Sequence, residues 1–333
     1  MKCEYPPETW KHHTVYTRVR RLLAHPGFMP QGRRIPKDFT RFLDPLDGLS
    51  GLNDTVGHMV ESLATEALNR ARKEWDPNGD YADYEFVLRK RKFPDVVLQH
   101  KRRRGKDILF GIELKSWNLL AKEGAPSFRF KASPEACAPG DLFACFPWVL
   151  EGFVGGKLRF FKPYVAPARF VASCRNHHWQ CERDAASDAS IPCAEGIAPY
   201  PETENQRVSE HPTYDGGQNF GRFARTGRMD DFMSQSLMEP LHGLPCGTWC
   251  DFFKICRWDP TKKAGTKDRK RMAQRASAMK GKMREGTTTH GANRRLAQGI
   301  ERCLRAIEGG RSAEEALRTE LKGWLRVHRL SPS

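Results

Sequence analysis

The sequence predicts an α/β fold in which a mixed β-sheet is flanked by helices. Residues 93–117 have the pattern of a β-hairpin, and residues 141–150 form an almost wholly apolar run, as expected of a buried central strand. Upstream of both, in residues 53–75, apolar side chains recur at helical spacing. Strands and helices mixed along one chain in this way indicate an α/β core.

The hairpin is predicted from two apolar runs, residues 95–98 and 107–115, which flank a basic turn that contains glycine. Because the side-chain period of a strand is two, alternate residues of the second run share a face. One face carries apolar side chains, and the opposite face carries Glu113 and Lys115. If the hairpin closes, Asp95 at the start of the first strand meets these two residues at one end of the sheet.

These residues carry a family resemblance. Pro94-Asp95 followed by Glu113-Leu114-Lys115 resembles the PD-(D/E)XK signature of restriction-endonuclease-like nucleases. The resemblance covers residues 53–150, less than a third of the 333-residue chain. It implies a restriction-endonuclease-like core that hydrolyses DNA phosphodiester bonds with Mg²⁺. The alternative is a surface hairpin in which Glu113 and Lys115 form an exposed ion pair of little energetic weight.

The resemblance also implies a role for each residue. Asp95 and Glu113 would be metal ligands, together with the backbone carbonyl of Leu114, since Mg²⁺ prefers oxygen ligands and borrows one or two protein carboxylates. Lys115 would hold the attacking water in line and stabilise the charge that develops on the phosphate. A bound Mg²⁺ would polarise the phosphate and lower the pKa of that water.

The helix predicted over residues 53–75 precedes the hairpin and is capped by Asn53 or Asp54. In many nucleases of the family, this helix adds a carboxylate to the metal site. Glu61, which lies beside the apolar stripe, is our first candidate for that catalytic role, and Glu66 is the second. An ordinary solvated helix glutamate explains the same pattern equally well.

The charge of the chain favours a polyanionic partner, which the resemblance identifies as double-stranded DNA. The formal net charge is +16 and the isoelectric point is about 9.5. Basic runs at residues 89–92 and 101–106 bracket the Asp95 strand. Residues 127–131 alternate so that Phe128 and Phe130 turn inward, as in a strand or a rim segment beside the site. We therefore predict phosphate contacts, mainly independent of sequence, from Arg102, Arg103, Arg104, Arg129 and Lys131. Solvated turns and strand faces would carry the same charges.

The cysteines leave two kinds of metal site open. The chain has ten cysteines, no apolar run long enough to span a membrane and no signal-peptide pattern, so we expect a cytoplasmic protein with free or metal-bound thiols. Cys174, His177, His178 and Cys181 have the spacing of structural Zn²⁺ ligands but also of neighbours on a helix, and Cys193 could join them. Residues 246–256, CGTWCDFFKIC, resemble the cysteine cluster of RecB-like iron–sulfur nucleases. There Cys246, Cys250 and Cys256 would need an upstream fourth ligand, and their first gap is one residue too long.

We divide the chain into four segments. Residues 1–50 form a basic N-terminal arm, residues 51–184 the nuclease core, residues 185–220 a polar loop or insert, and residues 221–333 a mainly helical, basic C-terminal region. Within the last segment, residues 262–284 are strongly basic, and two helices are predicted over residues 292–308 and from Ser312 onward.

Three functions fit the sequence. The first, which we favour, is a Mg²⁺-dependent, restriction-type DNA endonuclease, acting as a homodimer that cuts both strands and accompanied by a cognate methyltransferase. The second is a RecB-like iron–sulfur nuclease that acts on DNA ends or single strands. The third is a basic DNA-binding protein whose hairpin is catalytically inactive.

Overall fold

A computed structural model describes residues 4–34, 48–89, 91–121, 124–151, 157–183, 190–192, 197–200, 208–215, 220–241 and 244–256, together with 274, 298, 301–303 and 305. The named helices of this part are α1 (His13–Leu23), α2 (Gly48–Arg70), α3 (Arg72–Trp75), α4 (Ala168–His177), α5 (Asp230–Met238) and α6 (Cys246–Cys256). A π-helical turn, His178–Glu182, continues α4, and a 3₁₀ turn spans Phe223–Thr226.

The strands are β1 (Arg33–Arg34), β2 (Tyr84–Leu88), β3 (Val96–His100), β4 (Ile108–Asn118), β5 (Leu142–Glu151), β6 (Lys157–Phe160), β7 (Tyr164–Pro167), β8 (Pro240–Leu241) and β9 (Leu244–Pro245). Within the described residues, seven of them form one sheet in the order β1-β6-β5-β4-β3-β2, with β7 also paired to β5. β4 and β5 run parallel and the other neighbours run antiparallel. The expected α/β class, a mixed open sheet flanked by helices, is confirmed.

Strand β5 shows how the sheet divides the core. Its side chains alternate between two apolar clusters, with Phe143 and Cys145 in one and Ala144 and Phe146 in the other. The first cluster contains residues of α4 and α6, and the second contains residues of α1 and α2. Both faces of β5 are therefore buried, which explains the apolar run from which this strand was predicted.

The long helix differs from its predicted bounds. It begins at Gly48 rather than at Asn53 or Asp54, and it is interrupted at Ala71, before the short helix α3. The predicted apolar stripe is confirmed, because Val56, Val60 and other members of it are buried in the second cluster.

The N-terminal segment is packed with this core where it is described. Helix α1 buries Val15, Tyr16, Val19 and Leu23, and β1 pairs with β6 at one edge of the sheet. Residues 4–34 therefore pack with the core through α1 and β1, and α1 coincides with a short basic helix that the sequence indicates over residues 14–24.

Residues 127–131 belong to no named strand. Of the two forms that their alternation allows, a strand or a rim segment beside the site, the structure has the second, with Ser127 and Phe128 lining the site cavity. Phe130 is buried as expected, but this segment pairs with loops. The N–H of Phe130 donates to the carbonyl of Gly221 (2.8 Å), and the N–H of Glu210 donates to the carbonyl of Lys131 (2.9 Å). The alternation reflects burial beneath other loops rather than membership of the sheet.

Farther along the chain, the described pieces of residues 185–220 contain one isolated β-bridge, Ala132 to Ser209, and no named helix or strand. The strongly basic stretch 262–284 and the two C-terminal helices lie outside the described residues, apart from single positions and a short helical piece near Cys303. No helix in the described part is long and apolar enough to cross a membrane.

Candidate active site

The predicted hairpin is present and is built by β3 and β4. The two strands are antiparallel, with Val96 opposite Ile112 and Leu98 opposite Phe110. The residue before this ladder is Asp95, whose Oδ2 accepts a hydrogen bond from the backbone N–H of Leu114 at 2.7 Å. The backbone of one strand thereby fixes the carboxylate of the other.

Glu113 and Lys115 share a face of β4 and contact each other. Lys115 Nζ donates to Glu113 Oε1 at 2.5 Å. The side chain of Lys115 is 20% exposed and that of Glu113 is 10% exposed. An exposed surface pair would be worth little, but a pair removed from water must offset a desolvation cost. The three residues that the sequence selected are therefore brought together at the start of β3.

The closeness of these charged groups shifts the pKa values of Asp95 and Lys115. Burial, reinforced by the nearby charges of Glu113 and Glu61, raises the pKa of Asp95 to about 8, against the opposing effects of Lys115 and the Leu114 N–H. For Lys115, burial would lower the pKa, but the carboxylates of Glu113, Asp95 and Glu61 outweigh it and raise the pKa above its usual value. Perturbed ionisable groups that cluster in this way are typical of functional sites.

Glu61 joins this group from α2. It lines a cavity of about 390 Å³ together with Gly57, His58, Leu114, Lys115 and Phe128. Asp95 and Glu113 do not line the cavity themselves. Asp95 contacts Leu114 and Glu113 contacts Lys115, and both of these partners line the cavity.

The second helix candidate, Glu66, does not line this cavity; it is exposed and faces Arg33 at 3.9 Å. Of the two glutamates, the structure therefore favours Glu61. His58, which was not selected from the sequence, also lines the cavity, and its Nδ1 lies 3.7 Å from Glu61 Oε2.

A buried carboxylate missed by the sequence analysis supports the hairpin. Asp141 is fully buried and accepts hydrogen bonds from the N–H groups of Gly111 (2.6 Å) and Ala138 (2.8 Å) and from the hydroxyl of Tyr200. Burial raises the pKa of Asp141 to about 6 despite these hydrogen bonds. A charged residue at the head of an otherwise apolar run was the available signal, since a buried carboxylate needs donors around it.

Gly111 explains why Pro94 can pack against β4. A Cβ at Gly111 would lie 2.1 Å from Cγ of Pro94 and 3.3 Å from Oδ1 of Asp141. Glycine is therefore required for the close approach that sets the position of Pro94 and, through it, of Asp95.

The predicted phosphate-binding residues divide into two groups. Arg102, Arg103 and Arg104 are exposed in the turn between β3 and β4. Six residues of extended chain separate Asp95 from this turn, about 20 Å at 3.3 Å per residue. The turn is thus at the far end of the hairpin and does not flank the carboxylates, as its place in the sequence had suggested.

Arg129 and Lys131 are closer to the site. They follow Ser127 and Phe128, which line the cavity beside Glu61 and Lys115. Arg129 is exposed and lies 3.9 Å from Asp215. These two residues therefore remain the better-placed candidates for contacts with a bound phosphate backbone.

The residues proposed for Zn²⁺ are spread apart. Cys174 is buried in the apolar core, Cys181 is exposed, and His177 and His178 both contact Glu182. Cys193 lies outside the described residues. Within the part of the chain that is described, no group of three or more His, Cys, Asp or Glu side chains could hold a metal ion.

The cysteines proposed for an iron–sulfur cluster lie on α6. Cys246 and Cys250 are buried one helical turn apart, and the side chain of Cys256 lies outside the described residues. The Cys250 thiol donates to the carbonyl of Leu119 at 2.7 Å. Burial, with a contribution from Cys250, raises the pKa of Cys246 to about 12, which favours a protonated thiol over a metal-binding thiolate.

The pair of carboxylates fits a Mg²⁺ ion better than these thiols fit a soft metal. Two buried carboxylates repel each other, and Mg²⁺ is commonly held by one or two carboxylates while it keeps several waters. Leu114 contributes its N–H to Asp95, and the role of its carbonyl as a metal ligand stays a prediction.

Comparisons of the chain with known protein families, with curated proteins and with solved structures found no match.

Proposed function

We propose that the protein is a Mg²⁺-dependent DNA endonuclease of the restriction type, which hydrolyses phosphodiester bonds with a water molecule. The observation that carries the proposal is the convergence of Asp95, Glu113 and Lys115 at the start of β3, with Glu61 acting on them from α2. The PD-(D/E)XK resemblance assigns the same residues, and the net charge of +16 suits a DNA substrate.

In this proposal each side chain has a distinct task. Asp95 and Glu113 would hold the Mg²⁺ ion as a pair. Glu61, which does not complete a three-residue metal-binding group in the described part of the chain, would act on this pair through its charge. The bound ion would supply charge neutralisation at the phosphate and a lower pKa for the attacking water. Lys115 stays protonated because its pKa is raised, so its ammonium can orient that water and stabilise negative charge on the phosphate oxygens.

An inactive hairpin is a weaker explanation of these features. A surface ion pair without a function would be solvated. Glu113 and Lys115 are instead largely buried, and Asp95 lies where its ionised form is disfavoured. Such an arrangement costs stability unless a ligand compensates for it. A divalent cation is the ligand that would relieve the repulsion between two carboxylates.

The iron–sulfur alternative has less support, because Cys246 and Cys250 behave as buried thiols and the fourth ligand is not identified. Absorption near 400 nm in anaerobically purified protein would favour it. Absence of that absorption, together with discrete fragments from plasmid DNA, would favour the restriction-type activity.

The test is to replace each central residue and to measure cleavage and binding separately. Asp95→Ala, Glu113→Ala and Lys115→Ala are each expected to abolish cleavage of plasmid DNA in Mg²⁺ while leaving DNA binding within a few-fold of the wild type. Glu66→Ala, on the exposed side of α2, serves as the control. Cutting at the wild-type rate by any of the three central variants would remove the site assignment.

A further inference from the structure

A second cavity lies outside the candidate active site; we refer to it as the arginine pocket. Its volume is about 80 Å³, and its lining is unusual in composition. Besides Arg175 and His178, it is formed mainly by Trp179, Arg183, Phe220, Gly221, Arg222 and Arg225. Among the described residues, the lining thus contains four arginines and no Asp or Glu.

The pocket is built on the π-helical turn that follows α4. Such turns are rare and occur often at functional sites. Arg183 is held in place by two contacts with Trp179: its guanidinium lies 3.4 Å from the centre of the indole ring, and its Nε donates to the Trp179 carbonyl at 2.9 Å. Phe220 packs edge-on against the same indole at 5.1 Å. The cationic wall of the pocket is therefore positioned before any ligand arrives.

The nearby carboxylates belong to other contacts. Glu210 is paired with Arg175, the most buried arginine of the lining, which also donates to the carbonyls of Phe130 and Ala132. Glu182 contacts His177 and His178 and lies 3.7 Å from Arg228. Neither carboxylate is among the described lining residues, which present hydrogen-bond donors and positive charge, while Arg222 and Arg225 also have contacts of their own.

The indole N–H of Trp179 points to a missing acceptor. Trp179 is 4% exposed, and its Nε1 has no hydrogen-bond partner in the part of the chain that is described. A buried donor without an acceptor costs free energy, and here that donor belongs to a residue of the lining.

The size of the pocket limits the ligand. Sites for drug-sized molecules occupy roughly 300–1,000 Å³. A volume of about 80 Å³ suits one tetrahedral anion and leaves a nucleobase outside. Guanidinium groups bind phosphate oxygens in pairs of parallel hydrogen bonds, so arginines around such a space favour a phosphate group.

The pocket adjoins the candidate active site through residues 128–131. Gly221 has a φ of +92°, and a Cβ there would lie 3.2–3.3 Å from atoms of Arg129, Phe130 and Lys131. Phe128 lines the active-site cavity, and the Cα atoms of Phe128 and Phe130 can be at most about 7 Å apart. Arg129 and Lys131 therefore lie between the two cavities.

We propose that the arginine pocket binds a phosphate group of a nucleic acid, and that Arg129 and Lys131 continue this contact toward Lys115. The choice of nucleic acid as the source of the phosphate rests on the function proposed above; the anion-binding character of the pocket does not. The pocket would fix the position of a strand relative to the candidate active site without reading its sequence.

The experiment measures binding of the full-length protein to short DNA in EDTA, so that cleavage does not contribute. Duplex and single-stranded oligonucleotides, each with a 5′-phosphate or a 5′-hydroxyl, are titrated over a range of salt concentrations. Arg225→Gln removes an exposed guanidinium of the lining, and Arg222→Lys keeps the charge but loses the paired hydrogen bonds. Arg21→Gln, at an exposed position of α1, is the matched control with the same change of charge as Arg225→Gln.

We expect Arg225→Gln to weaken binding about tenfold, as for loss of one charged hydrogen-bonding group. The slope of log affinity against log salt should fall by about 0.9 for duplex or about 0.7 for single strands. Arg222→Lys should weaken binding with little change in slope, and Arg21→Gln should change affinity less than twofold. If removing the 5′-phosphate weakens wild-type binding but not that of Arg225→Gln, the bound group is a terminal phosphate; if removal has no effect, it is an internal one.

The proposal is overturned if Arg225→Gln and Arg222→Lys both bind as tightly as Arg21→Gln with the wild-type salt slope. Cleavage in Mg²⁺ is scored separately. If Arg225→Gln and Arg222→Lys bind DNA normally while the wild type cuts DNA, the phosphate-binding proposal fails and the nuclease proposal stands. If these variants bind DNA more weakly but the wild type never cuts DNA, the nuclease proposal fails and the phosphate-binding proposal stands.

Discussion

The backbone N–H of Leu114 donates a hydrogen bond to Oδ2 of Asp95 at 2.7 Å, across the end of the β3–β4 ladder. This contact fixes a carboxylate from one strand beside the alternating Glu113 and Lys115 of the next. The sequence motif formed by Asp95, Glu113 and Lys115 is short, and this contact makes it a defined cluster of charges in the fold. The position of Asp95 depends on backbone pairing, so it is set by the fold rather than by a flexible side-chain contact.

The helix glutamate should contribute to activity. Glu61 lines the cavity and acts electrostatically on Asp95 and Lys115, whereas Glu66 on the same helix is exposed and faces Arg33. We expect Glu61→Gln to lower the rate of Mg²⁺-dependent cleavage by about 10–100-fold, the range typical of residues that support a metal site. Glu66→Gln should cut DNA at the wild-type rate, and equal rates for the two variants would exclude a role for Glu61.

Gly111 should tolerate no side chain. A Cβ there would lie 2.1 Å from Cγ of Pro94, so Gly111→Ala must displace the residue that precedes Asp95. We expect a loss of about 1–3 kcal/mol in the free energy of unfolding, measured in urea, and a parallel loss of cleavage. At Gly57 in α2, a Cβ would meet only Ser116 Oγ at 3.8 Å, and Gly57→Ala should stabilise by about 0.5–1 kcal/mol. Similar stability of the two variants would contradict the packing described here.

The stability of the metal-free protein should depend on the ionisation of Asp95. Burial and Glu113 raise its pKa to about 8, against about 3.9 in an unfolded chain. Between these values the folded state binds the proton more tightly, so this group's stabilising contribution is present below pH 4 and is lost as the pH rises through 8. As the pH rises from 5 to 9 in EDTA, the free energy of unfolding of Asp95→Asn should therefore increase relative to that of the wild type by on the order of 2 kcal/mol, a value discounted for partial exposure of Asp95.

The control for this effect is Asp80→Asn, because Asp80 is exposed. Thermal or urea unfolding across the pH range measures both variants. A difference between Asp95→Asn and wild type that stays constant from pH 5 to pH 9 would show that Asp95 ionises normally.

The ion pair beneath the arginine pocket should be important for stability. Arg175 and Glu210 are 3% and 1% exposed, and their contact ties residues 208–215 to α4. Glu210→Gln leaves a buried guanidinium without its carboxylate and is expected to cost about 3–5 kcal/mol of unfolding free energy. Glu66→Gln, which breaks an exposed contact with Arg33, should cost at most about 1 kcal/mol. Comparable losses for the two variants in urea unfolding would contradict this difference in burial.

Local patterns predicted the parts of the site that depend on local rules. The period of two placed Glu113 and Lys115 on one face of β4, and the apolar run predicted β5. The helical stripe of α2 brought Glu61 into consideration. Each of these follows from side-chain direction in a single element, which a sequence encodes directly.

Other parts depend on contacts between distant residues. Asp141 is held by Tyr200 and Gly111, which are far from it in sequence, so its role could not be read from its neighbours. Residues 127–131 alternate like a strand because loops bury Phe130, and nothing local distinguishes the two cases. The basic turn after β3 is close to Asp95 in sequence but far from it in space, because an extended strand separates them.

The most direct test of the account is to incubate the purified protein with long duplex DNA, with and without Mg²⁺, and to sequence any ends that form. Lys115→Ala, which removes one member of the cluster, is run beside it. The account predicts Mg²⁺-dependent cuts at discrete positions with 5′-phosphate ends, all absent with Lys115→Ala. Intact DNA under every condition, or the same ends from the variant, would contradict it.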